Sequence, residues 1–176
     1  MNLAEKPFEM LAPEYRYLGD GAPLRIPFSR GPVNYVSSVE PIDHARPTML
    51  VVSGSVVSTP NAQFRAMDRI GREGMEPHFR PFLMANWGIS GRWWGNRWVD
   101  MTERGDFTLR IPLSPQNWTD SYGRFPNFSE RRARDWRRAL NRSHVGVTFG
   151  GGLNFGHGVR LLQGQCTVRI DVYRVD

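Results

Sequence analysis

A glycine-rich segment, residues 144–160, constrains the fold of this chain more than any other part of the sequence. It begins with an alternating apolar run, Val145, Val147 and Phe149, and continues directly into three glycines, Gly150–Gly152. Glycine permits positive φ and a close approach of the backbone to another group, and within strands it marks bulges and tight bends. The segment therefore predicts a tight hairpin or a bulged loop at the rim of a β-sheet, where ligands often bind.

The composition favours one all-β domain. The chain has 176 residues, of which 40% are hydrophobic and 12% aromatic, and it contains 18 glycines and 13 prolines. This length suits a single domain with a substantial core. Glycine and proline placed between many short apolar runs are typical of strands joined by turns, and not of a helical bundle or a disordered chain.

The positive charge of the chain does not indicate a nucleic-acid partner. The formal net charge is +6, but Lys6 is the only lysine and every other basic residue counted in it is an arginine. This bias is typical of a GC-rich, bacterial coding sequence, and the basic residues are spread among 17 acidic ones. Because a nucleic-acid footprint should be clustered, we expect none here.

Cysteine usage and hydropathy exclude several further classes. The single cysteine, Cys166, excludes an intramolecular disulfide and a cysteine-cluster metal site, and its alternating strand predicts a buried thiol. No apolar stretch approaches the length of a membrane span. Residues 1–6 lack the basic start and apolar core of a signal peptide. We therefore expect a cytoplasmic protein, or a secreted or periplasmic one if a signal peptide has been removed.

Two parts are predicted along the chain. Residues 1–47 contain seven prolines and little periodicity, and they predict an extended arm that wraps the body, with one short strand near Val33–Val39. Residues 48–176 form the predicted domain. Its expected strands are apolar or alternating runs at residues 48–58, 79–87, 107–113, 144–149 and 165–175.

Helical signals are few. Ser129 precedes an amphipathic stretch and predicts a helix over residues 130–141, with Ala133, Trp136 and Leu140 on the core-facing side. A helical turn is also expected near residues 62–70. The long helix carries five arginines, which we interpret as a solvated outer face.

Three segments resemble the jelly-roll sandwiches of the galactose-binding-domain-like type, which include many carbohydrate-binding modules. They are residues 107–118, the strand and glycine loop at 145–152, and the closing strand 166–175. The resemblance covers roughly residues 48–176. It implies an all-β, antiparallel jelly-roll β-sandwich, here with one short helix and a proline-rich N-terminal arm. It also implies structural calcium, for which carboxylate donors are available at Asp100, Glu103, Asp106 and Asp171.

A cluster of tryptophans suggests how a ligand could bind. An indole can stack on the apolar face of a pyranose ring, while arginine, asparagine and aspartate hydrogen-bond its hydroxyls. The hypothesis is a non-catalytic glycan-binding domain, and no cofactor other than calcium is expected. The alternative is that these tryptophans are core residues. The candidate residues of this cluster are Trp93, Trp94, Trp98, Arg92, Arg97 and Asn96.

The glycine loop adds Asn154 and His157 to the candidate site. Both side chains could hydrogen-bond a ligand, although the glycines alone could serve a tight β connection. We expect the site between the Trp93–Trp98 segment and the Gly150–Gly158 loop. No spacing identifies a catalytic pair, so no catalytic residue is assigned.

Two other functional classes remain open. The first is an enzyme on the same scaffold that acts on a glycan or a small organic substrate, with His157 and either Asp100 or Glu103 as acid and base. The second is a structural or assembly protein, a homo-oligomer in which the N-terminal arm docks on a neighbouring subunit. The sequence does not decide between these and glycan binding.

Overall fold

The computed structural model describes residues 8–10, 24–38, 40–66, 76–85, 91–151, 154–155 and 157–176. The antiparallel β-sandwich with one helix that the sequence predicts is confirmed. The strands are Phe8–Met10 (β1), Leu24–Phe28 (β2), Tyr35–Ser38 (β3), Ile42–Asp43 (β4), Met49–Ser58 (β5), Gln63–Ala66 (β6), Pro77–Met84 (β7), Arg92–Gly95 (β8), Val99–Asp100 (β9), Gly105–Pro112 (β10), Trp118–Asp120 (β11), Arg142–Gly151 (β12), Asn154–Phe155 (β13), Val159–Gln163 (β14) and Cys166–Val175 (β15). The helix is Glu130–Asn141 (α1).

Two antiparallel sheets form the sandwich. A nine-stranded sheet has the central order β1-β3-β12-β7-β8-β11, with β4 and β13 paired to β12 and β9 paired to β7. A four-stranded sheet has the order β10-β5-β15-β2, and β14 pairs with β6 in a separate ribbon. The chain passes repeatedly from one sheet to the other, as jelly-roll connectivity requires.

Alternation along the strands separates the core from the outer face of the nine-stranded sheet. In β7, Phe79 and Leu83 belong to the main core, whereas Phe82 and Met84 belong to a second, separate cluster. This division follows from the period of two in a strand, which sends successive side chains to opposite faces. Both faces of β7 are therefore buried, and its sequence is apolar almost throughout.

The helix begins and ends where the sequence predicts. The Ser129 hydroxyl caps it by accepting a hydrogen bond from the Arg132 amide at 3.3 Å. Trp136 and Ala139 are buried in the main core. Leu140, assigned to the core-facing side from the sequence, is half-buried and packs against that core, while the arginine-rich remainder of the helix is mostly exposed.

Part of the range that the sequence assigns to the arm belongs to the sheets. Strand β2 pairs with β15, and β3 pairs with β12. The side chains of Ile26 and Val36 are fully buried in the core. The remainder of residues 1–23, apart from β1, lies outside the described residues, as does the end of the expected helical turn at 62–70, of which Gln63–Ala66 is a strand.

No helix in the described part of the chain is long and apolar enough to cross a membrane.

Candidate functional site

The structure separates the three candidate tryptophans. Trp93 lies in the main core with no exposed surface, and its ring meets that of Trp136 edge-on at 5.5 Å. Trp94 points to the opposite face of the sheet, as alternation along β8 requires, and only 5% of it is exposed. Trp98 lies beyond β8 and is 53% exposed. Trp98 is therefore the candidate tryptophan whose ring can meet a ligand at the surface.

Trp94 belongs to an arginine-aromatic cluster on the outer face of the nine-stranded sheet. The Arg80 guanidinium lies 4.7 Å from the centre of the Trp94 ring, and that of Arg92 lies 5.7 Å from the Tyr35 ring. Burial lowers the pKa of Arg80 to about 9, against a smaller opposing effect of Tyr35. Arg92 therefore packs against the aromatic ring of Tyr35. This contact explains why an arginine stands beside the tryptophans in the sequence.

The turn that carries Trp98 is fixed to its neighbour. The amide of Asn96 donates to the Asn117 carbonyl at 2.9 Å, and the Asn96 side-chain amide donates to Asn117 Oδ1 at 3.1 Å. Asn117 in turn donates to the Ser114 hydroxyl at 2.8 Å. Asn96 therefore positions the turn, and Arg97 and Trp98 are presented to solvent from a braced segment.

His78 lies beside Trp98. The two ring centres are 5.9 Å apart, with the rings inclined at 59°. The His78 side chain is only 10% exposed, whereas Trp98 remains half open to solvent. One part of the indole is thus supported by the imidazole while the rest is accessible, which is the arrangement that ring stacking needs.

Two carboxylates approach His78. Its Nε2 lies 3.8 Å from Asp100 Oδ2 and 3.8 Å from Glu76 Oε2. His78 and Asp100 are paired in register between β7 and β9, so the backbone holds them side by side. We call Glu76, His78, Trp98 and Asp100 the Trp98 site.

Asp100 is oriented by its own turn. Its Oδ1 accepts hydrogen bonds from the Thr102 amide at 2.8 Å and from the Thr102 hydroxyl at 2.7 Å. These two bonds leave Oδ2 directed toward His78. The carboxylate is therefore held in one orientation before any ligand arrives, and such preorganisation is typical of binding sites.

The glycine-rich strand reaches the same place. Gly150 in β12 pairs with His78 on the side opposite Asp100. Strand β12, which begins the glycine-rich loop, and strand β9, which follows Trp98, therefore lie on either side of His78. In the loop that follows, Asn154 pairs with Gly151 through its backbone, its side chain being outside the described part, and His157 is exposed.

The other candidate residues do not converge. Of the four carboxylates considered for calcium, Asp100 belongs to the Trp98 site, and Asp171 accepts from Arg169 at 2.6 Å. Among the described residues, neither Glu103 nor Asp106 joins a group of three metal-binding side chains. Within the part of the chain that the structure describes, His157 also makes no hydrogen bond or ion pair with Asp100 or Glu103, its suggested partners as acid and base.

A second exposed aromatic surface was not foreseen from the sequence. Tyr122, Phe125 and Phe128 are 62%, 46% and 64% exposed, and we call this segment the aromatic loop. Buried Asp120 pins its start by accepting from the amides of Tyr122 and Arg124 and from the Arg132 side chain. The spacing Asp-x-Tyr-Gly-Arg is a turn signature, and it could have indicated a rigid loop.

Two open grooves adjoin Phe28 and Gly164. They have volumes of about 430 and 470 Å³. Arg30 is the one charged residue among those described around them, and neither groove includes a candidate residue. Hydroxyl and amide side chains line both grooves, but no histidine or carboxylate is among the described lining residues.

His78 and Glu76, the residues that complete the Trp98 site, were not among those predicted from the sequence. His78 stands in an apolar strand, and its partner Asp100 is far from it in sequence. Only the pairing of β7 with β9 brings them together. No protein-family model, no curated protein and no solved structure matches this chain.

Proposed function

We propose that this protein binds a glycan at the Trp98 site. The observation that carries the proposal is the half-exposed Trp98 indole, braced against His78 at 5.9 Å beside two carboxylates. A pyranose has an apolar face for the indole and hydroxyls around its edge for polar groups. Asp100 and Glu76 are placed to accept hydrogen bonds from such hydroxyls, and exposed Arg97 could donate to others.

Rigidity supports this reading. The Asn96–Asn117 hydrogen bonds fix the turn before Trp98, and Thr102 fixes Asp100. Binding therefore costs little conformational entropy, because the aromatic ring and the carboxylate that contact the ligand are already ordered, and this favours affinity.

The test compares two exposed aromatic residues. A glycan array identifies a ligand, and isothermal titration then measures its affinity for Trp98→Ala and for the matched control Phe128→Ala. We expect Trp98→Ala to weaken binding by about 1–3 kcal/mol, or about 5- to 160-fold, by analogy with base stacking on aromatic residues. Phe128→Ala should bind the glycan as the wild type does, because Phe128 belongs to the aromatic loop and not to the Trp98 site.

Other outcomes would change the conclusion. Unaltered affinity of Trp98→Ala would refute this site, and selective loss in Phe128→Ala would move it to the aromatic loop. If neither neutral nor acidic glycans bind, a structural or assembly protein would be favoured. Release of new reducing ends from a bound glycan, abolished by Asp100→Asn, would instead identify an enzyme, because His78 between two carboxylates is also a group able to transfer protons.

A further inference from the structure

We propose that Glu76, His78 and Asp100 bind a divalent transition metal ion, of which Zn²⁺ is the best match. Each residue offers one ligand atom, and these atoms all lie within 4.8 Å of one another. The proposal concerns the surface already assigned to glycan binding, but metal binding can be measured with no glycan present.

The distances suit a shared ion better than direct hydrogen bonds. His78 Nε2 is 3.8 Å from each carboxylate oxygen, which is beyond hydrogen-bond range. Three atoms with these separations lie about 2 to 2.5 Å from a common point, a distance that matches metal–ligand bonds in proteins. The side chains therefore need to move by only a few tenths of an ångström to coordinate one ion.

The burial of His78 is an independent observation that points to a ligand. Its side chain is nine-tenths buried, yet among the described residues its ring nitrogens take part in no hydrogen bond, only in the two longer contacts with the carboxylates. Buried polar groups are normally paired. Nε2 faces Glu76 and Asp100, so a metal ion held by these oxygens would also satisfy the imidazole.

The donor set selects the kind of metal. Calcium takes oxygen ligands, whereas a neutral imidazole suits zinc and neighbouring transition metals. Two carboxylates would balance the charge of a divalent ion. Three protein ligands also leave a coordination position open, which a sugar hydroxyl could fill.

Asp100 has the outer support that metal ligands usually have. Its Oδ1 is held by the amide and hydroxyl of Thr102, and this leaves Oδ2 for the ion. Hydrogen bonds of this kind orient the side chains that bind the metal, and their loss typically weakens metal binding by about 10- to 100-fold.

The experiment measures Zn²⁺ and Ca²⁺ binding to the full chain by isothermal titration, and Co²⁺ binding by visible absorption. We expect one Zn²⁺ per chain, bound at least about tenfold more tightly than Ca²⁺. His78→Asn and Asp100→Asn should each weaken Zn²⁺ binding by more than about 10-fold, because loss of a ligand costs at least as much as loss of the hydrogen bonds that orient it. The matched control is Glu103→Gln, an exposed acid near Asp100 that should bind Zn²⁺ normally.

Circular dichroism checks that each variant folds. If His78→Asn does not fold, the Zn²⁺ affinity of Asp100→Asn alone tests the metal site. Absence of stoichiometric Zn²⁺ binding, or equal binding by wild type and Asp100→Asn, would overturn the proposal. Trp98→Ala separates the two proposals, because it should bind glycan more weakly and bind Zn²⁺ as the wild type does. A protein that binds Zn²⁺ but no glycan would leave the metal site standing and refute only the glycan function.

Discussion

The hydroxyl of Tyr173 accepts a hydrogen bond from the amide of Gly146 at 3.1 Å and lies 2.9 Å from the carbonyl oxygen of the same residue. It is also 3.1 Å from the Phe82 carbonyl. Tyr173 belongs to the four-stranded sheet, whereas Gly146 and Phe82 belong to the nine-stranded one. A single phenol therefore links the two layers, and its complete burial raises the pKa of Tyr173.

Tyr173→Phe should lower the free energy of unfolding by about 1–3 kcal/mol, because the Gly146 amide loses a buried hydrogen-bond partner. Urea denaturation measures this change. Tyr122→Phe is the control, since Tyr122 is 62% exposed and its hydroxyl faces no such backbone groups among the described residues. Equal stability of Tyr173→Phe and wild type would show that the link between the sheets contributes nothing.

The two classes of tryptophan should differ in their effect on stability. Trp93→Ala removes a fully buried ring that packs on Trp136, and it should cost about 3–5 kcal/mol. Trp98→Ala should cost less than about 0.5 kcal/mol, as for other surface changes. Thermal and urea unfolding of both variants measure the difference. If Trp98→Ala were as unstable as Trp93→Ala, Trp98 would be a structural residue.

Acid should destabilise the fold partly through His44. Burial lowers the pKa of His44, with a smaller opposing effect of Asp43, and His44 Nε2 lies 3.0 Å from the Ser143 hydroxyl. As pH falls below about 6.5, the unfolded chain takes up the proton before the folded one does. The contribution of neutral His44 to the free energy of unfolding is therefore complete above that pH. It is lost as the pH falls toward the lower pKa that His44 has in the folded protein.

Urea unfolding of wild type and His44→Gln at several pH values between 7.5 and 5 measures this effect. All other residues are common to the two proteins, so the difference between the two curves isolates His44. We expect wild type to lose more stability than the variant on acidification. Parallel curves would contradict the assignment.

Cys166 should be unreactive in the folded protein. The residue is 4% exposed, and burial raises its pKa to about 12. A thiol reacts as its thiolate, so Ellman's reagent at pH 8 should detect no thiol in the native protein and one after denaturation. Rapid labelling of the native protein would show that this strand opens readily.

Local signals predicted the secondary structure well. The helix Glu130–Asn141 agrees with its prediction because its Ser129 cap and its apolar stripe are both encoded within one short segment. The buried thiol of Cys166 was likewise readable from alternation. Strand β2 was assigned to the arm because it contains Pro27, which favours non-strand structure; an edge position tolerates proline, since one side of the strand needs no amide donors.

The site was only partly predictable. Alternation indicates that Trp93 and Trp94 face opposite sides of the sheet, but it does not indicate that both sides are buried. Trp98 was identified as a member of the tryptophan cluster, whereas the Asn96–Asn117 contact that fixes its turn joins residues 21 positions apart in sequence. His78 and Glu76 were not identified because the site that they form with Asp100 depends on the pairing of β7 with β9, which no local sequence pattern indicates.

The position of β15 has a consequence for synthesis of the chain. Residues 166–175 lie between β5 and β2, which are encoded more than a hundred residues earlier. During translation these two strands leave the ribosome with no common partner, and pairings so distant in sequence form slowly. The four-stranded layer can therefore close only after residue 175 has been made. Until then β5 can pair with β10 along one edge only, and its other edge and its apolar inner face stay open to aggregation.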